Sequence, residues 1–149
     1  MTEALVHESR IAVPYAWSAG ATGTRFLKTL AAEKRFLATR CAACAQTYVP
    51  PLKACSRCLK DCGEWVEVGP RGKLISFTQA LYESPVLPCK RPVYGLIRLD
   101  GADTALLIMI GEATLEELQA DMPMEPVFSE PGGPGLHQLV YFRPARKRI

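Results

Sequence analysis

Cys41-Ala-Ala-Cys44 and Cys55-Ser-Arg-Cys58 are two Cys-x-x-Cys turns separated by ten residues. At that spacing four thiolates can close a tetrahedron around one zinc ion. Each turn carries two sulfurs, and Ala45 to Ala54 is long enough for a short hairpin that brings one turn against the other. Four sulfur ligands leave no coordination position open to water, so the expected metal is structural rather than catalytic. Disulfide formation and redox catalysis are the competing chemistries. A thioredoxin-type site needs one Cys-x-x-Cys at a strand-to-helix junction, and a matching second turn has no part in that mechanism. Disulfides persist in oxidising compartments, whereas Met1 to Ser18 is broken by Glu3, His7, Glu8, Arg10 and Pro14 and forms no apolar signal. The expectation is a reducing cytoplasmic setting and a bound zinc.

The other reactive groups offer less. Cys62 lies four residues past Cys58 and reads as a bystander, because the two turns already supply four sulfurs. Cys89 stands beside Lys90 and Arg91 in a proline-rich stretch, where two cations can raise its reactivity. A nucleophile needs a base, and neither His7 nor His137 carries a sequence cue linking it to Cys89, which therefore reads as a loop thiol. No carboxylate pair, Ser-His-Asp set, glycine-rich phosphate loop or open metal site can be assembled, so no catalytic residue is assigned.

The elements that must position the cysteines are short. A helix is expected from about Arg25 to Lys34, capped by Thr22 or Thr24, with Phe26, Leu27, Leu30 and Ala31 on one face. Phe36 to Arg40 reads as a strand entering the first turn, with Thr47-Tyr48-Val49 as its partner and Pro50-Pro51 ending the pairing. Glu64-Trp65-Val66-Glu67-Val68 alternates as a half-buried strand, and Gly69-Pro70-Arg71-Gly72 is a turn. So small a ribbon buries too little apolar surface to fold unaided, and structural zinc supplies roughly 10 to 16 kcal/mol in finger peptides. Ahead of the helix, Val13-Pro14-Tyr15-Ala16-Trp17 sets two large aromatics in a Pro-, Gly- and Ser-rich stretch. Packing on the protein's own surface needs no extra assumption, and a partner surface is the alternative.

From Lys73 onward five strand-like segments follow: Lys73 to Tyr82, Val93 to Leu99, Ala105 to Ile110, Met124 to Phe128, and Leu136 to Arg143. A helical stretch, Thr114 to Ala120, lies between the third and fourth. Five antiparallel strands with a helix after the third describe an OB-fold barrel. The chain is thus expected to be mainly β, with an N-terminal extension and helix over 1–35, a zinc ribbon over 36–69 and an OB-fold over 70–149.

Composition bounds the partners. The 149 residues are 48% hydrophobic and 22% charged, ordinary for a globular protein. The longest apolar run, Ala105 to Ile110, is far short of the ~20 residues a bilayer crossing needs. A net charge of +3 conceals an asymmetry: Arg10 to Lys73 holds eleven Lys or Arg against four acids, while Asp100 to Glu130 holds eight acids and no base. A polyanion would meet the ribbon side or the basic end, Arg143, Arg146, Lys147 and Arg148. Binding of single-stranded nucleic acid is the rival function, since ribbons and OB-folds both serve it. Few strand aromatics (Phe77, Tyr82, Tyr94) and the repulsion expected from the acidic segment argue against it.

Read in order, the helix Phe26-Leu27-Lys28-Thr29-Leu30, Arg40-Cys41-x-x-Cys44, Pro50-Pro51, Cys55-x-x-Cys58, Glu64-Trp65-Val66-Glu67-Val68, Gly72-Lys73-Leu74-Ile75-Ser76-Phe77-Thr78 and Tyr94-Gly95-Leu96-Ile97-Arg98-Leu99-Asp100-Gly101 form a distinctive series. The series resembles the acyl-CoA-associated rubredoxin-like zinc ribbon plus OB-fold proteins, formerly a family of unknown function. The resemblance implies a non-catalytic partner of CoA-ester enzymes, most often thiolases and sometimes hydratases or dehydrogenases acting on acyl-CoA. It further implies a hetero-oligomer in which the small chain docks on the thiolase and shapes its acyl-CoA entrance. The Asp100-Gly101-Ala102-Asp103-Thr104 turn and the Val13-Pro14-Tyr15 opening look most like members paired with thiolases of anaerobic aromatic-acid breakdown. OB-folds commonly bind ligands with the loop between their first two strands, which makes Lys90 and Arg91 the candidate contacts for CoA phosphates. Two departures from the family pattern, Asp121-Met122-Pro123 and the residues Ala45 and Leu59 in place of glycines, predict altered backbone turns at those points.

Overall fold

Ser18 accepts the Gly20 N–H on its Oγ at 3.1 Å. Helix α1 (Gly20–Glu33) follows, so it starts more than a turn before the expected Arg25, and Thr22 and Thr24 lie inside it rather than capping it. Lys34 closes it in the left-handed conformation, φ 56°, with its N–H on the Leu30 carbonyl. The computed structural model describes residues 13–83, 87, 89–130 and 138–146. His7, His137, Lys147, Arg148 and the expected start of the last strand at Leu136 lie outside the described residues.

Strand β1 (Phe36–Arg40) is the middle of a three-stranded sheet, flanked antiparallel by β2 (Thr47–Tyr48) and β3 (Glu64–Val68). Phe36 sits opposite Val68, and Arg40 sits opposite both Glu64 and Thr47. Alternation along β1 divides its labour. Phe36 and Ala38 join the main apolar core together with Phe26 and Leu30 of α1, whereas Cys41 just beyond the strand belongs to a separate cluster of sulfurs.

Strands β4 (Gly72–Gln79), β5 (Val93–Leu99), β6 (Leu106–Ile110), β7 (Pro123–Phe128) and β8 (Leu139–Pro144) close a barrel in the order β4-β5-β6-β8-β7. This is the arrangement of an OB-fold. Successive strands alternate in direction, so placing β8 beside β6 forces that pair to run parallel, the one departure from the expected antiparallel pairing. The expected helix from Thr114 contracts to a single 3-10 turn, Leu115–Glu117, held by reciprocal capping between Thr114 and Glu117. At Gly72 a Cβ would press on the Arg98 carbonyl oxygen, so the ladder between β4 and β5 excludes any larger residue there.

Leu74, Ile97, Leu99, Met124 and Phe142 fill the barrel and are all but inaccessible to solvent. Their cluster runs on into the ribbon sheet: the Phe36 ring lies 6.0 Å from that of Phe142 and 6.1 Å from that of Phe128. The β5–β6 turn adds a polar clasp. Thr47 N–H donates to Asp103 Oδ2 at 2.8 Å, and Asp103 N–H donates to the Thr47 carbonyl at 3.0 Å. Val49 N–H donates to Thr104 Oγ1 at 2.8 Å, and that hydroxyl donates to the Val49 carbonyl at 2.9 Å. The outer edge of β2 is thereby satisfied by the barrel instead of by water.

Candidate metal centre

The two cysteine turns are near copies of one another. Ala45 N–H donates to the Cys41 carbonyl at 2.8 Å and Cys41 N–H to the Gln46 carbonyl at 2.9 Å. In the second turn Leu59 N–H donates to the Cys55 carbonyl at 2.9 Å and Cys55 N–H to the Lys60 carbonyl at 2.7 Å. Ala45 and Leu59 adopt φ of 59° and 60°, the left-handed conformation that glycine takes without strain. Asp121 does the same at φ 64°. Each of these side chains tolerates a conformation costing roughly 1 kcal/mol or more.

Cys41, Cys44, Cys55 and Cys58 meet in space, with all four Sγ atoms within 4.8 Å of one another. Individual separations are 3.5 Å for Cys41 and Cys58, 3.5 Å for Cys44 and Cys55, and 3.8 Å for Cys44 and Cys58. A tetrahedron of sulfurs at a zinc–sulfur distance of about 2.3 Å has edges of about 3.8 Å. The donor set therefore fits a four-coordinate zinc with no position left for water. Cys41 and Cys55 are buried, and Cys44 and Cys58 face partly outward.

Hydrogen bonding separates the sulfurs further. The Tyr48 hydroxyl, 3.1 Å away, is the foremost influence that pulls the Cys55 thiol down to about 5. Cys62 packs against the cluster but stays outside the group of four. Burial, reinforced by the charge of Cys41 and Cys55, pushes its thiol up to about 11.

The remaining sequence candidates lie elsewhere. Lys90 and Arg91 sit on the β4–β5 loop, at the far end of that ladder from the Asp100 turn that meets the ribbon. Lys90 Nζ is 3.8 Å from Glu83, both side chains largely exposed. Arg91, left-handed at φ 53°, borders a cavity of about 340 Å³ together with Cys89, Gln79, Thr114 and Glu116. The aromatics ahead of α1 do not pack on the protein's own surface as expected: Tyr15 is 79% and Trp17 74% exposed. Trp17, Leu27, Ala31 and Ala32 instead line an open apolar groove of about 680 Å³. The acids of 100–130 are partly neutralised by folding, since Glu112 accepts from Tyr141, Arg143 and Arg146, and Glu125 pairs with Arg71 and Arg143.

One surface escaped the sequence reading. Leu96 and Leu107, paired across β5 and β6, point outward beside Tyr94 and Phe77 and line a depression of about 280 Å³. Its signal was the unbroken apolar run Leu106-Leu107-Ile108-Met109-Ile110, which leaves an antiparallel strand no polar face.

Twin cysteine turns on a three-stranded sheet, docked through a common core on a closed five-stranded barrel, define a zinc-ribbon and OB-fold protein. The ChsH2 rubredoxin-like zinc ribbon domain matches residues 29–64, and the ChsH2 C-terminal OB-fold domain matches residues 65–129. The chain belongs to this ChsH2-type zinc-ribbon and OB-fold family, also called DUF35. Among solved structures it is similar to a chain of the Ltp2-ChsH2(DUF35) aldolase, with TM-score 0.65 and 20% identity over 91% of this chain and 98% of that one. A Sulfolobus solfataricus DUF35 protein of unknown function is also similar, with TM-score 0.63 and 15% identity over 85% of this chain and 87% of that one. No curated protein matches the chain. No helix among the described residues is long and apolar enough to cross a membrane.

Proposed function

We propose that the chain is a non-catalytic accessory subunit of an acyl-CoA thiolase, with one structural zinc on Cys41, Cys44, Cys55 and Cys58. It docks on the catalytic subunit as part of a hetero-oligomer and helps shape the acyl-CoA site at which a 3-oxoacyl-CoA undergoes thiolytic cleavage. The narrower relative is the small subunit of benzoylsuccinyl-CoA thiolase. The observation that carries this reading is the apolar surface before and along α1, where Tyr15 and Trp17 stand about three-quarters exposed and Trp17 lines the Leu27 groove. A soluble chain acting alone gains nothing from such a surface, whereas aromatic anchors are typical of protein interfaces. A four-sulfur site closed to water also supports a holding role over a chemical one.

Lys90 and Arg91 are proposed to meet CoA phosphates once the partner is in place; their exposure leaves both free to turn toward a ligand. The depression on the outward β4-β5-β6 face sets Phe77 and Tyr94 beside Leu96 and Leu107 with no cation among its lining residues, which disfavours single-stranded nucleic acid as ligand. A second reading, partnership with an aldolase, is favoured by the similarity to the Ltp2-ChsH2 aldolase chain. Modular boundaries at 35–36 and 69–70 are part of the same proposal.

Co-expression with genomic neighbours followed by affinity purification tests the reading. The expected product is a stable complex whose thiolysis of acyl-CoA needs both chains, and whose assembly fails for the double variant Tyr15→Ala, Trp17→Ala. Retro-aldol cleavage without thiolysis would transfer the proposal to the aldolase partner, and recovery of the chain alone would overturn it.

A further inference from the structure

All four sulfurs receive backbone N–H contacts, and Cys55 adds a side-chain hydroxyl donor that the others lack. Tyr48, only 4% exposed, sets its hydroxyl 3.1 Å from Cys55 Sγ, and the N–H groups of Arg57 and Cys58 approach the same sulfur at 3.4 Å and 3.5 Å. Among the described residues no other side-chain oxygen reaches any of the four sulfurs. The direction of the Tyr48 bond follows from its surroundings. Ser56 Oγ donates to the phenol oxygen at 3.1 Å, which leaves the phenol's one proton for the sulfur. A metal-bound thiolate carries no proton and can only accept. Phenol, serine and thiolate thus form a one-way chain from the exposed Ser56 to the buried cluster.

Resting on the zinc reading above, we propose that Tyr48 is a positioning residue for the metal. Its hydroxyl holds Cys55 Sγ in the tetrahedron and draws charge from it, making Cys55 the sulfur slowest to let go or to react. Metal exchange with soft competing ligands, and attack by electrophiles, then proceed through Cys44 and Cys58, the two sulfurs that face partly outward. Partners of this outer kind change metal affinity by about 10- to 100-fold when removed. Tyr48→Phe is a clean probe, since it keeps the ring in its buried site and strands only Ser56, whose hydroxyl is exposed to water.

The experiment loads the full chain with zinc or with cobalt as a coloured stand-in and compares it with Tyr48→Phe. The variant is expected to lose zinc to a chromogenic chelator about tenfold faster. Its thiolate-to-cobalt charge-transfer band should move to lower energy, because a sulfur deprived of a hydrogen bond is easier to oxidise; a purely structural tyrosine would leave the band in place. Maleimide labelling followed by mass spectrometry should find Cys44 and Cys58 modified before Cys55 in the wild type, with Cys55 catching up in the variant. Normal metal loading with unchanged band, rate and labelling order overturns this inference alone, whereas a wild-type chain that takes up no metal removes the zinc reading and the inference with it. In the wild type the Tyr48 hydroxyl proton should also give a slowly exchanging NMR signal close to the Cys55 β-protons. Its absence overturns the proposal even where the variant does not fold.

Discussion

The ribbon and the barrel hold themselves together by different means. At the centre of the ribbon stand Cys41, Cys55, Cys62 and Tyr48, a cluster of sulfur and one phenol with almost no hydrocarbon. At the centre of the barrel stand Leu74, Ile97, Leu99, Met124 and Phe142, side chains whose burial stabilises by roughly 25 cal/mol per Å² without any ion. The contrast predicts a region whose fold is conditional on metal beside a region whose fold is not. They are joined by Phe36, which belongs to the ribbon by sequence and to the barrel by packing.

Removing zinc should expose that contrast most strongly, because roughly 10 to 16 kcal/mol of binding free energy is at stake in comparable small sites. Chelation is expected to strip amide-exchange protection from β1, β2 and β3 while β4, β5 and β7 retain most of theirs. Equal loss in both regions would mean that the shared core leaves no separate ribbon. Thr104→Val, an isosteric change, should cost about 1 to 3 kcal/mol by leaving both the N–H and the carbonyl of buried Val49 without a partner. Thermal melts of the metal-loaded protein measure it, and a change within experimental scatter would show that the clasp adds nothing to the apolar contact.

Acid should act more gently. The Arg35 guanidinium beside Glu67 holds that carboxyl below its ordinary value, and the Tyr141 hydroxyl with Arg143 does the same for Glu112. A carboxyl lowered by folding contributes stability that is complete above its ordinary value near 4.5 and is lost as the pH falls through the lower folded value. Both groups are solvent-facing, so Glu67→Gln should shift the acid limb of the stability profile only slightly, and added salt should shrink the shift. A large change would point to a buried role that the geometry does not provide.

Much of this was legible in the residues. Paired Cys-x-x-Cys turns announce their metal because thiolates that must converge leave a strict spacing, and β3 was read to its ends because Glu64–Val68 alternates cleanly. The start of α1 was not legible, since Ser18 acts one residue before the usual cap position and the Gly-Ala-Thr-Gly run that follows has weak helix preference. The exposure of Tyr15 and Trp17 could not be read either, because nothing local says whether an aromatic has a surface to lie on. Asp103 and Thr104 drew notice as part of a family-like turn, yet their bonds to Thr47 and Val49 span more than fifty residues and leave no local trace.

Those two side chains have a reach beyond the joint they fasten. They sit at the tip of the hairpin whose strands carry Leu96 and Leu107, and they grip the strand that leads out of the first cysteine turn. The clasp thus ties the course of the strand leaving the first cysteine turn to a hairpin whose outer face is apolar.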